Sequence, residues 1–446
     1  MPILNHNDLK KVEEYQTFVR TSPYANATQD LAWEKVKEGW VGEQVYLEEN
    51  GQIIAAMSLI IRRVFAGFSL MYAPRAPICD LHDTALVQRL LDEAKPLAQK
   101  YHAFLLRFDP ELPRMPELEE QYRKLGIRVR NDGCDKYDLI QPRYNMILKL
   151  DEPSFDELMP HFSEKTRYNI RLSARKGVTV HWSRSEEDLR KFYELYEITA
   201  VRDKIGHRPY DYFKRMLQAY DSSDLLRVYI AEHEGEALSG AICIHYGNKT
   251  WYIYGASSNN KRNLMPNYAM QAEMIRWAYE NGSEIYDFGG VFILDKSNGL
   301  YKFKEGFCRR EGATEFIGEF DKVYNPLLYL GFAKLEPMLQ RLWKGNLFCP
   351  PALPLLKRNP TFSLLKRKGG AKRKVHVSKR EQKQGGNMFS SSFPTAFTKE
   401  AKRKRSLEKR LLFCWLFRGF TSALPFAGRP SGWGRRRKRL PPRQSS

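Results

Sequence analysis

The chain has 446 residues, 42% of them hydrophobic and 13% aromatic; at roughly 100–200 residues per domain this is apolar mass for several domains and excludes a wholly disordered chain. The net charge of +21 would suit a nucleic-acid binder, but residues 344–446 hold 27 Lys+Arg against 3 Asp+Glu, whereas residues 1–343 hold 46 against 49. The folded part is near neutral, and the overall charge says nothing about where chemistry occurs. Six cysteines, at 79, 134, 243, 308, 349 and 414, form no CxxC pair. That argues against a zinc knuckle, a redox motif or a disulfide framework, and for a reduced cytoplasmic home. The start MPILNHNDLKK lacks a basic-then-apolar signal segment, and no run of ~18 apolar residues is present to span a bilayer.

Along the chain, residues 7–20 place Leu9, Val12, Phe18 and Val19 at helical spacing. VYLEENGQIIAAMSLII from Val45 reads as two strands about a turn at Gly51, and SLMYAPRAP as a third strand. A helical stretch, 84–100, precedes HAFLLRFDP, a strand ending in Asp109. About 180 residues later the order returns as VYIAEHEGEALSGAICIHYG, TWYIYGASS, a helical stretch at 266–281, and SEIYDFGG ending near Asp287. Tyr46 then corresponds to Tyr229 and Tyr72 to Tyr254. Two copies of one α+β unit explain this better than chance. SEED from Ser185 opens a helix to about Arg202, Pro209 and Pro266 suit first helical turns, and 326–343 reads as a last helix.

The order helix, three strands, helix, strand predicts an α+β fold of two tandem N-acetyltransferase-like (GNAT) domains with a cleft between them. The first domain spans 1–145 and is completed by 318–344, the second spans 146–317, and 345–446 is expected to be a disordered basic tail. That tail could bind phosphates or anionic lipid; the plainer reading is an extension without function. A GNAT-type unit that uses coenzyme A needs a Gly-rich helix start for the pyrophosphate. APRAPICD and SSNNKRNLMPNYA, which follow the third strands, lack those glycines. The expected acyl donor is therefore not acetyl-CoA, and no cofactor or metal is expected.

Seven stretches, in order, resemble the Fem-type (FemABX) peptidyltransferases that build peptidoglycan cross-bridges. They are YAPRAP (72–77), LRFDPEL (106–112), SEKTRYNIRLSARKGV (163–178), HRPYDYF (207–213), YGASSNNKRNLMPNYAMQAEMIRWA (254–278), YDFGGV (286–291) and GLYKFKEGF (299–307). The resemblance covers about three quarters of the chain. It implies an aminoacyl-tRNA donor of Gly, Ala or Ser, and an acceptor amine on the third-position Lys of the stem peptide, carried on lipid II or UDP-MurNAc-pentapeptide. It implies a monomer working in the cytoplasm, at the inner membrane face if lipid II is the acceptor. Staphylococcal members insert a long coiled-coil arm. Here about 25 residues, 183–207, separate a strand from the HRP motif, which resembles the shorter members that add the first bridge residue.

By the same resemblance Lys304 is the cation at the reacting centre, with Phe303 shaping the channel for the tRNA end. Lys37 and Arg208 hold the acceptor diphosphate, and Tyr212 and Tyr254 complete that site. On residue type alone, Lys304 would be a solvated helix turn, Lys37 surface charge and the tyrosines core packing. Asp109, taken as an exposed carboxylate near the ordinary pKa of about 3.9, is a poor base for an amine, so it is expected to position the acceptor ammonium rather than abstract its proton. An Asp before Pro is also common turn chemistry. Arg167, Arg171 and Arg175 recur every four residues and, with Lys302, could face tRNA; a solvated face is the plainer alternative. His207 reads as structural, and Asp287 has no firm role. Two other functions fit parts of the sequence: an acyl-CoA-dependent transferase in polysaccharide modification, and a non-enzymatic nucleic-acid or membrane adaptor led by the tail.

Overall fold

The computed structural model describes residues 2–344 except 66, 132–138, 204, 207 and 222. His207 and the expected basic tail lie outside the described residues. The strands are β1 (Val41–Glu49), β2 (Gln52–Phe65), β3 (Phe68–Ala73), β4 (Ala103–Phe108), β5 (Arg128–Arg130), β6 (Tyr144–Lys149), β7 (Thr179–Ser183), β8 (Leu226–His233), β9 (Glu236–Tyr246), β10 (Lys249–Ser257), β11 (Ile285–Val291), β12 (Ala313–Glu315) and β13 (Glu319–Val323). They form two sheets, ordered β1-β2-β3-β4-β13-β5 and β12-β6-β11-β10-β9-β8-β7.

The repeat is visible in the pairing. In each sheet an antiparallel meander, β1-β2-β3 or β8-β9-β10, crosses through a helical segment to a parallel fourth strand, β4 or β11. The copies differ at that parallel step. β3 and β4 stay paired from Ser69 to Ala73, whereas β10 and β11 pair only over Lys249–Trp251 and Ile285–Asp287. Beyond Trp251 the two strands of the second sheet part.

The two halves share a core. Tyr15, Val19, Trp33 and Val36 from the N-terminal segment pack in one buried cluster with Phe192, Tyr212, Phe213, Trp251 and Tyr254 from the second half. Burial of each such aromatic or aliphatic side chain contributes about 1.5–3 kcal/mol. Polar ties reinforce it: Tyr246 and Arg20 donate to Asp30, each at 2.9 Å, and Tyr220 donates to the Ala27 carbonyl at 2.9 Å. At the β9–β10 turn Gly247, with φ of 59°, lies so close to Ala25 that a Cβ there would overlap it.

Local chemistry explains where helices differ from expectation. The stretch 84–100 is two helices, Thr84–Glu93 and Lys95–Lys100; Pro96 has no N–H to continue the first one. Ser185 caps the helix Glu186–Asp203 by accepting from the Asp188 N–H at 3.1 Å. Asp188 does not close a reciprocal box; its carboxylate instead accepts from Ser183 at 2.6 Å. A single 18-residue helix, Glu186–Asp203, thus fills most of the segment 183–207. The last helix, Pro326–Lys344, packs on β4. It is anchored by Glu336, which meets Arg107 together with Asp321 and Glu319 in a fully buried network.

Candidate active site

Of the expected site residues, Lys37, Arg208, Tyr212 and Tyr254 form one group and Lys304 and Phe303 belong to another. In the first group the helices Ala32–Val36 and Tyr210–Ala219 pack together. Lys37 follows the first of these and is only 4% exposed; its Nζ lies 4.6 Å from the Trp33 ring and 5.4 Å from the Tyr212 ring. Burial, then the adjacent Arg208 guanidinium, hold the Lys37 ammonium well below the usual lysine range. Arg208 Nε donates to the Tyr254 hydroxyl at 3.0 Å, and Tyr254 donates to the Tyr212 hydroxyl at 3.1 Å. A buried guanidinium beside a buried lysine amine that an anion would protonate, both lined by tyrosine hydroxyls, form a setting suited to an anion.

Tyr254 reaches this group because β10 carries a bulge. Trp251 faces Ile244 and Tyr252 faces Cys243, but Tyr254 pairs with Ile242. The extra residue turns Tyr254 onto the same face as Trp251, into the shared core, while Tyr252 stays on the other side of the sheet. Strict alternation would have placed Tyr254 beside Tyr252.

The second group surrounds Lys304. It lies on the short helix Gly299–Glu305, capped by Asn298, and is 4% exposed. Among the described residues, its side chain's one hydrogen bond runs from Nζ to the Gly290 carbonyl at 2.9 Å. Gly290 is the residue at which β11 resumes pairing after an irregularity, and Pro142 occupies the space a Cβ would need. Burial lowers the Lys304 pKa to about 8, against the Asp287 carboxylate and the Cys308 thiol, which favour the cation. Asp287 accepts from the Gly289 N–H at 2.7 Å. Phe303 packs edge-on to Tyr268 and Phe307, with centroids at 5.0 and 5.5 Å.

Asp109 corrects an expectation. It is 2% exposed; Oδ2 accepts from the Tyr72 hydroxyl at 2.5 Å and Oδ1 from the Arg75 N–H at 2.7 Å. Burial raises its pKa to about 7, against the charge and N–H of Arg75 and the Tyr72 hydroxyl. It is a buried carboxyl poised near neutrality, not an ordinary exposed one.

From Asp109 runs a chain of three charged residues not singled out from the sequence. Arg75 Nε is 3.4 Å from Glu111 Oε1. Glu111 forms a tight ion pair with Lys249 and accepts from Asn26 at 2.9 Å. Arg75 and Glu111 sit inside the YAPRAP and LRFDPEL stretches, where a charge between prolines and strand ends is the available signal. Lys249 opens an apolar strand, and no local signal marks it.

The basic stripe is only partly as expected. Arg171 and Arg175 are exposed on the helix Glu164–Arg175, with Arg175 5.7 Å from the exposed Tyr168 ring. Arg167 is half-buried and donates to the Pro160 and Phe162 carbonyls; at the helix start its guanidinium folds back onto its own backbone. Lys302 is exposed. The helix Glu164–Arg175 abuts the Lys304 helix through the Ser163 N–H, which donates to the Gly306 carbonyl at 2.8 Å.

The FemAB family model matches residues 11–234 and 225–336. The chain belongs to the FemAB family. It is 40% identical over 339 residues to the UDP-N-acetylmuramoylpentapeptide-lysine N(6)-alanyltransferase of Weissella viridescens, covering 75% of this chain and 100% of that protein. It is 29% identical over 401 residues to a lipid II:glycine glycyltransferase of Staphylococcus epidermidis, covering 74% of this chain and 95% of that protein. Among solved structures, the crystal structure of FemX superposes with a TM-score of 0.67 at 26% identity, over 75% of this chain and 100% of that one. The Fem-type resemblance and the two-unit α+β fold expected from the sequence are both borne out. Among the described residues no group of His, Cys, Asp and Glu is arranged to hold a metal ion, and no helix is long and apolar enough to cross a membrane.

Proposed function

We propose that this FemAB-family chain is an aminoacyltransferase of peptidoglycan bridge synthesis. It moves an aminoacyl residue from tRNA to the side-chain amine of the stem-peptide lysine, on UDP-MurNAc-pentapeptide or lipid II. The observation that carries the reading is Lys304, a buried cation spending one hydrogen bond on a backbone carbonyl, in a chain that matches a lysine alanyltransferase along that protein's whole length.

In the reaction the acceptor nitrogen attacks the ester carbonyl of the aminoacyl-tRNA. A C–N bond forms, the C–O bond to the ribose breaks, and the ribose oxygen leaves with a proton. The acceptor amine, with a solution pKa of about 10.4, must first lose one. Asp109, poised at about 7, can hold the incoming ammonium and accept that proton. Lys304, protonated below about 8, stabilises the tetrahedral oxyanion or protonates the leaving ribose oxygen. Lys37, Arg208, Tyr212 and Tyr254 bind the acceptor's diphosphate, and Phe303 lines the path of the tRNA end. Arg171, Arg175 and Lys302 contact the RNA backbone.

Coenzyme A has no place in this scheme. The helix after β10 begins at Pro266, which has no N–H for a pyrophosphate, and the stretch before it lacks glycine. The enzyme acts as a cytoplasmic monomer, at the inner membrane face when lipid II is the acceptor.

The test is mass spectrometry of each acceptor after incubation with tRNA charged separately with Ala, Gly or Ser. A gain of one residue, dependent on tRNA and lost in Lys304→Met, is expected. No gain on either acceptor with any donor, from folded protein, overturns the function; a gain undiminished in the variant overturns the role of Lys304 alone.

A further inference from the structure

A buried ammonium is costly unless carboxylates meet it. Lys249, 7% exposed at the start of β10, has one carboxylate in ion-pair contact and a second beside it on the sheet. From the first half comes Glu111, its ion-pair partner, itself braced by Asn26 and Arg75. From the second half comes Asp287. The parallel register sets Lys249 beside Ile285 and Trp251 beside Asp287, so Lys249 and Asp287 are diagonal neighbours on one face of the sheet. Asp287 in turn closes the turn onto Gly289, and the next residue presents the carbonyl that accepts the hydrogen bond Lys304 donates. Across the junction the charges alternate: Glu111, Lys249, Asp287, Lys304.

We propose that Lys249 is a positioning residue for the transfer: paired with Glu111 of the first half and lying diagonally beside Asp287 of the second, it keeps Asp287 as the carboxylate counter-charge of Lys304, so Lys304 is set only while the two halves are docked. This rests on the role given to Lys304 above. The charged groups facing Asp287 are Lys249, Glu111, Arg75 and Lys304; Lys304 is faced by the Asp287 carboxylate and by the Cys308 thiol, which burial keeps protonated. Burial raises the Asp287 carboxyl, and Lys249 is the largest influence pulling it back. Without Lys249 the carboxyl holds its proton to higher pH, ceases to favour the Lys304 cation, and Lys304 loses its own proton at lower pH.

The experiment compares wild type, Lys249→Met and Lys249→Arg as full-length chains. The pH dependence of Lys304 acylation by acetic anhydride, resolved by mass spectrometry at that residue, reads its protonation without needing activity. The acylation midpoint is expected near 8 in wild type and in Lys249→Arg, and lower by roughly one pH unit in Lys249→Met, the scale of a neighbouring charge. The high-pH fall of the transfer rate moves with it, and the acceptor KM stays put. An identical midpoint in all three overturns the proposal, and so does a slower Lys249→Met enzyme with an unmoved midpoint, which would make Lys249 a structural brace. If Lys249→Met does not fold, Lys249→Gln also lacks the charge and must show the same shift. Should wild type transfer nothing while the midpoint still moves, the coupling stands and the transfer function fails.

Discussion

Lys304→Met separates a lysine kept for chemistry from one kept for packing. In wild type, burial brings the pKa from 10.5 to about 8. The folded state therefore sheds this proton before the unfolded state does. Between those values the unfolded chain binds more protons, and stability rises with pH. At pH 7 the amine is charged in both states and the whole penalty is present, about 3 kcal/mol; by pH 9.5 about 2 kcal/mol of it has been relieved. The Met variant has no such proton. Its hydrogen bond to Gly290 is lost at both pH values, since the neutral amine also donates, so that loss cancels in the comparison. Urea unfolding followed by tryptophan fluorescence, at pH 7 and 9.5, should show wild type gaining about 2 kcal/mol on the variant as pH rises. Transfer in the variant should fall about 10²–10³-fold, as when one oxyanion donor is removed. Parallel pH responses of the two proteins would show that Lys304 is not a buried cation. A pH-dependent gain without loss of transfer would make it a buried cation that catalysis does not use.

Asp109 is a carboxylate only above about 7 and Lys304 a cation only below about 8, so the transfer rate should peak narrowly between them; in Asp109→Asn the rise through pH 7 should vanish from the pH–rate profile. Arg208→Lys and Tyr254→Phe should each raise the KM for the UDP-linked acceptor about tenfold or more, through loss of charge-assisted hydrogen bonding worth ~1.5–3 kcal/mol, with a smaller effect on kcat. Arg107→Met leaves Glu319, Asp321 and Glu336 buried around an uncharged side chain and should cost about 3–5 kcal/mol in denaturant unfolding. Truncation after residue 344 should leave transfer intact, because the family match ends at residue 336.

The repeat was legible because each copy is built from local signals: alternating strands, turns at Gly51 and Gly235, and a helix before a strand ending in an acid. The ordered Fem-type stretches were legible as well, and they pointed to Lys304 and Arg208 where composition alone would have left surface charges. The burial of Asp109 was not legible. An Asp before a Pro reads as turn chemistry, and only the docking of Tyr72 and Arg75 against it turns it into a carboxyl near neutrality. Arg167 shared its spacing with Arg171 and Arg175, yet spacing does not say that a side chain at a helix start will fold back on its own loop.

Local residue order thus determined the two α+β units, their strand and helix sequence, and the family, because hydrophobic period and turn chemistry act over a few residues. The tertiary structure alone decided which charges are buried together. Glu111 and Lys249 are 138 residues apart, and Lys304 lies in the field of Asp287, itself the diagonal neighbour of Lys249. The Tyr254 hydroxyl reaches Arg208 only because one extra residue in β10 turns it to the shared core. Electrostatic energy depends on distance and on the exclusion of water, and neither exists until the two halves dock.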